Sequence, residues 1–193
     1  MQRFLVAFAA LDGQTDKIAH HIARKLEDAR FLVRLIDMSA GETEAGADSC
    51  DAVILAASAY RQHFDSGLSA FILRHGEVLR RCPSAFVPVS LAAASHDPAE
   101  KSAIDEVARQ FLSQVGWAPD EVFHVAGAIG ERSSSLLNGT VLEALFEPVT
   151  DEPESPRELE LTDWDALDKF VRGFGAHVAA TTPPSPADES GRT

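Results

Sequence analysis

Residues 4–15 read FLVAFAALDGQT. An apolar run from Phe4 to Ala9 leads into a short turn holding Asp12, Gly13, Gln14 and Thr15. Behind the turn, Ile18, Ala19, Ile22, Ala23 and Leu26 recur at helical spacing. A strand that feeds a glycine-containing turn and then a helix leaves several backbone N–H groups unpaired at the positive end of that helix. Such a turn is built to receive a phosphate.

The same alternation continues outward from this unit. Apolar runs predict strands over residues 3–9, 31–37, 52–58, 85–91 and 122–129. Helical periodicity predicts helices over 14–28, 66–81, 97–115 and 162–180. Asp97 and Pro98 suit the start of the third helix, and Gly116 suits its exit. The fourth opens with Thr162 and Asp163 and carries a buried stripe of Leu167, Phe170, Val171, Phe174 and Val178. Continuous apolar strands interleaved with helices imply a parallel sheet covered on both faces. The expected fold is α/β and doubly wound, with five parallel strands in the order 2-1-3-4-5. Ligands in such sheets lie beyond the carboxyl ends of the strands, at the switch point. Three loops meet there: 9–15, 58–66 and 90–97.

The bulk properties narrow the partners. The chain has 193 residues, 45% hydrophobic and 24% charged, which suits one globular domain. Its net charge of −13 opposes binding to nucleic acid and to anionic membrane surfaces. No apolar run reaches the roughly 18–20 residues that span a bilayer. The segment MQRFLVAFAALDG reads as a first strand rather than a signal peptide, because a polar helix follows it. Cys50 and Cys82 form no metal-spaced pair and read as reduced thiols of a cytoplasmic protein.

Two segments break the rhythm. Residues 130–161 form an acidic insertion before the last helix, longer than an ordinary connection. Within it Leu136, Leu137, Val141, Leu142, Leu145 and Phe146 have the spacing of a short amphipathic helix. The final stretch, TTPPSPADESGRT at 181–193, reads as a disordered tail after a domain spanning 1–180.

With the three loops placed, the sequence resembles the flavodoxin superfamily, and within it the flavodoxin-type, menaquinone-dependent protoporphyrinogen dehydrogenases of haem synthesis. The matching pieces are DGQTDKIA at 12–19, AASAYRQHFDSGLSAFI at 56–72, PSAFVPVSLAA at 83–93, WAPDEVFHVAGAI at 117–129 and LTDW at 161–164. They occur in family order. The resemblance implies an FMN cofactor and electron transfer from protoporphyrinogen to a quinone. It places the FMN phosphate at Asp12, Gly13, Gln14 and Thr15, where Asp12 fixes the turn and the backbone donors face the anion. It places the isoalloxazine ring beside Ser58, Ala59, Tyr60 and Arg61 on one edge, with Tyr60 stacked on it. The loop Ser90, Leu91, Ala92 and Ala93 runs along the other edge. Thr15 is either a phosphate contact or an ordinary helix cap. Arg61 either balances charge near the ring or simply faces solvent.

Two departures separate the chain from that pattern. The family's phosphate loop carries hydroxyls where this chain has Ala9 and Ala10. A hydrogen bond to a charged group is worth about 1.5–3 kcal/mol, so losing one or two weakens phosphate binding by roughly ten- to several hundred-fold. The insertion also differs: Glu131, Glu143, Glu147, Asp151, Glu152, Glu154, Glu158 and Glu160 stand against Arg132 and Arg157. That charge is repelled by anionic lipid, and porphyrin propionates gain little from it.

The seven histidines show no ligand spacing, so no metal site is expected. Nor is there a nucleophile elbow or a Walker sequence. No residue is singled out as a general base. Three functions follow: a flavin oxidoreductase acting on a small molecule or quinone, an electron carrier for a basic redox partner, or an interaction module that has lost FMN.

Overall fold

A computed structural model describes residues 1–10, 13–38, 49–60, 63–129 and 159–181. In chain order the elements are β1 (Arg3–Ala9), α1 (Gly13–Asp28), β2 (Leu32–Asp37), β3 (Ala52–Tyr60), β4 (His63–Phe64), α2 (Ser66–Arg74) and α3 (Gly76–Arg81). Then come β5 (Ser84–Ser90), a 3-10 turn (Leu91–Ala94), α4 (Pro98–Val115), β6 (Glu121–Val122), β7 (Val125–Ala126), β8 (Ala128–Ile129), β9 (Leu159–Glu160) and α5 (Trp164–Thr181). Apart from residues 159–161, the acidic insertion lies outside the described residues, and so does the tail from 182 onward.

The main sheet is parallel, with β2, β1, β3 and β5 side by side and β6 and β7 both pairing with β5. This is the expected 2-1-3-4-5 order, with the fifth position shared by two short strands. The apolar runs of β1 and β3 are buried on both faces. Phe4 to Ala9 and Ala52 to Ala57 are all at most 3% exposed. Alternate residues divide between two core layers. Leu5, Ala7, Val53, Leu55 and Phe86 pack under Leu68, Phe71, Leu79 and Phe111 of α2, α3 and α4. Phe4, Val6, Phe8, Ile54 and Val87 pack under Ile18, Ile22 and Leu26 of α1 and Leu167, Val171 and Phe174 of α5. Burying each of the larger of these side chains contributes roughly 1.5–3 kcal/mol.

Two expected elements are divided. The helix expected over 66–81 is two helices meeting at His75, whose backbone (φ −104, ψ 18) leaves the helical region before Gly76. The strand expected over 122–129 is broken opposite Pro88. Carbonyl oxygens of Ser84, Phe86 and Ser90 accept from Asp120, Phe123 and Gly127, so the even-numbered residues of β5 face this edge. Pro88 has no N–H to give on that side, and the ladder lapses between Val122 and Val125. The last two residues of the run, Ala128 and Ile129, leave the main sheet and pair antiparallel with Leu159 and Glu160.

The ends of α4 follow the sequence reading. Asp97 accepts from Ala99 N–H at 2.8 Å, Pro98 occupies the first turn, and Gly116 ends the helix with φ +67.

Candidate functional site

The chain leaves β1 in one direction to build β2 and in the other to build β3 and β5. The carboxyl ends of β1, β3 and β5 therefore open around the start of α1. Gly13, the first residue of α1, is exposed, and a Cβ there would meet nothing within 4 Å. Gly13 thus lies exposed at the positive end of a 16-residue helix.

Thr15 lies inside that first turn rather than at the cap position. It is fully buried, and its Oγ1 lies 2.5 Å from Oγ of Ser58 at the end of β3. Because each hydroxyl can both donate and accept, the pair keeps one proton to offer beyond itself. The helix-cap reading of Thr15 does not hold, since the helix opens two residues earlier.

Gln14 is also buried, at 4% exposed. Its Nε2 donates to Oε1 of Glu160 at 2.6 Å and to Oγ1 of Thr162 at 2.8 Å. The Thr162 hydroxyl donates to the carbonyl of Ala126 at 2.7 Å, and the Thr162 N–H donates to Glu160 Oε1 at 3.1 Å. Thr162 therefore does not open the last helix. Asp163 does, accepting from Ala166 N–H at 2.9 Å, and α5 starts at Trp164. Sequence reasoning missed Glu160 and Thr162 as neighbours of the turn. Thr162 was marked only by its place in the LTDW stretch, and Glu160 only as one of the acids of the insertion.

On the other side of the switch point, β3 runs on past Ser58 and Ala59 to Tyr60, and β4 folds back on it. Ala59 pairs with Phe64, and Tyr60 with His63. The expected site residues Asp12 and Arg61 lie outside the described residues. After β5, Leu91, Ala92 and Ala93 form the half-buried 3-10 turn. The Oγ of Ser90 at its head is buried with no hydrogen-bond partner among the described residues. A buried hydroxyl without a partner is costly unless a ligand or a rotation satisfies it. The structure thus gathers Gly13, Gln14, Thr15, Ser58, Ala59 and the Ser90–Ala93 turn at one end of the sheet.

Beside this end, His124 sits 2.9 Å from Asp105. Burial pushes the His124 imidazole below its usual range, and the Asp105 carboxylate partly offsets the shift. Among the described residues, no group of three or more His, Cys, Asp or Glu is arranged to hold a metal ion. Nor is any helix among them long and apolar enough to cross a membrane.

Residues 5–155 match the flavodoxin domain family. The chain belongs to that family. Among curated relatives, it is 29% identical over 183 residues to protoporphyrinogen IX dehydrogenase [quinone] of Leishmania major, covering 94% of this chain and 78% of the relative. It is 27% identical over 174 residues to the enzyme of the same name from Escherichia coli K12, covering 90% of this chain and 94% of the relative. Solved flavodoxins share the fold. Oxidised flavodoxin 1 of Bacillus cereus aligns with a TM-score of 0.53 at 15% identity, covering 91% of this chain and 98% of that one. A flavodoxin of Pseudomonas aeruginosa aligns with a TM-score of 0.55 at 10% identity, covering 92% and 99%. The sequence resemblance and the sheet order therefore agree on the flavodoxin fold.

Proposed function

We propose that the protein is an FMN-dependent oxidoreductase of the protoporphyrinogen dehydrogenase type, working in the cytoplasm and passing electrons to a quinone. The observation that carries this reading is the start of α1. The exposed Gly13 sits beside the Thr15–Ser58 hydroxyl pair, at the same end of the sheet as Ser90, whose hydroxyl has no partner among the described residues. That donor set, with no basic side chain among its described members, suits a phosphate ester held by neutral dipoles.

FMN, when bound, supplies reversible two-electron chemistry at its isoalloxazine ring. The residues of this chain position it. Gly13, Gln14 and Thr15 hold the phosphate through backbone N–H groups. Ser58, Ala59, Tyr60 and Arg61 line one edge of the ring, and Ser90, Leu91, Ala92 and Ala93 line the other. Asp12 shapes the turn. The two relatives named as quinone-dependent protoporphyrinogen dehydrogenases support the substrate class. Both cysteines are free thiols, in keeping with a reducing compartment.

One observation favours a second reading. With 30 acidic against 17 basic residues, the surface suits docking to a basic redox protein. A turnover assay decides between the two. Oxidation of protoporphyrinogen IX with a menaquinone analogue by the FMN-loaded protein supports the enzyme. FMN binding without turnover supports the carrier.

A further inference from the structure

We propose that Gln14 is a positioning residue for the phosphate, acting through Thr162 and Glu160, a role that rests on the FMN reading above. The first turn of α1 is not held by its own neighbours alone. Its Gln14 amide reaches 148 residues along the chain to Thr162 and 146 residues to Glu160. Those two residues are themselves fixed. Thr162 donates to the carbonyl of Ala126 at the end of β7, Leu161 N–H donates to Gly127 at 3.2 Å, and β9 pairs with β8. The turn that would receive the phosphate is therefore joined to the sheet edge through residues 160–162.

The geometry of that join bears on ligand discrimination. The amide nitrogen of Gln14 gives both of its protons inward, one to a carboxylate and one to a hydroxyl. Anchoring the Gln14 side chain fixes the backbone of the first turn of α1, and with it the direction of the N–H groups at Gly13 and Thr15. Pre-aimed donors lose little entropy when an anion binds. Loss of the anchor should therefore weaken a ligand that carries a phosphate and spare one that carries only the ring.

The test uses the Gln14→Leu and Thr162→Val variants, with Thr162→Ser as the conservative control. Affinities for FMN and for riboflavin, which lacks the phosphate, are read by quenching of flavin fluorescence. The proposal predicts FMN affinity about fivefold or more weaker in Gln14→Leu and Thr162→Val, from one to two lost hydrogen bonds. Riboflavin affinity stays unchanged, and Thr162→Ser restores FMN binding. Equal weakening of both flavins, or of neither, overturns it. Amide hydrogen exchange on the protein without flavin gives a second readout. Gln14→Leu should speed exchange at Leu161 and Thr162, two amides on a different segment; unchanged exchange there overturns the coupling. Failure of the unsubstituted protein to bind FMN overturns the flavin reading instead, and exchange still decides the coupling.

Discussion

Oγ1 of Thr15 and Oγ of Ser58 lie 2.5 Å apart, both buried, and so join the first turn of α1 to the end of β3. The strand that feeds the turn is flanked by the strand that feeds the opposite edge of the site. The hydroxyl pair ties the start of α1 to the end of β3, just beyond the β1–β3 ladder. Replacing Thr15 by Val leaves Ser58 with a buried hydroxyl and no partner. The expected cost is about 1–3 kcal/mol of folding stability, measured by urea denaturation. The double variant Thr15→Val with Ser58→Ala should cost less than the sum of the two single changes, because the pair is lost only once. Full additivity would show that the two hydroxyls do not act together.

Restoring a hydroxyl at Ala10 should tighten FMN binding. Ala9 is fully buried in the core layer under α2, α3 and α4, so a hydroxyl there would face hydrocarbon. Ala10 is half-buried at the mouth of the turn. Ala10→Thr is expected to strengthen FMN binding about tenfold, the worth of one hydrogen bond to a charged group. An unchanged or weaker affinity would remove the explanation given for this loop.

The alternation of strands and helices, the sheet order and the caps of α4 were all legible in the sequence. Each depends on local patterning: two-sided burial of β1 and β3, and the Asp97, Pro98 and Gly116 signals. What was not legible depends on pairs far apart in the chain. Gln14 and Thr162 carry no mutual signal across 148 residues. Thr162 beside Asp163 reads locally as a helix start, and only the fold shows its hydroxyl turned to Ala126. The lapse in the fifth strand was available in principle. Pro88 stands in an otherwise central strand, and its missing N–H had to weaken one neighbouring ladder.

Cys50 and Cys82 read as unrelated thiols in the sequence, yet the parallel pairing of β3 and β5 brings them together. Sγ of Cys82 lies 3.2 Å from the carbonyl oxygen of Cys50. A hydrogen bond from the Cys50 thiol and the nearby Arg81 guanidinium lower the Cys82 thiol to about 6, against the opposing effect of burial. The Cys82 hydrogen bond and burial push the Cys50 thiol up. Iodoacetamide should therefore modify Cys82 ahead of Cys50, with a rate that rises through a midpoint near pH 6. Peptide mass spectrometry across a pH series checks this. A midpoint near about 8.5, the value of an ordinary thiol, would contradict it.

Asp168 fastens α5 to α1. Its carboxylate lies 2.6 Å from Nζ of Lys25 and 2.6 Å from Nε2 of His21. Lys25 first, and His21 with it, hold the Asp168 carboxyl below the usual carboxylate range. A carboxylate with a depressed pKa stabilises the fold above its unfolded value, and that stability is lost as pH falls through the folded value. Asp168→Asn should cost about 1 kcal/mol at neutral pH. The difference from the unsubstituted protein should shrink as the pH is lowered below about 4. Urea midpoints across that range check the sign, and a difference that grows on acidification would contradict it.

The central claim is that the open start of α1 holds the phosphate of FMN. The most direct test is a titration of the purified apoprotein with FMN, followed by quenching of flavin fluorescence. The account predicts saturable, one-to-one binding in the sub-micromolar range. Absence of binding at tens of micromolar would contradict it, and would point to the missing hydroxyl at Ala10 as the change that cost this flavodoxin scaffold its cofactor.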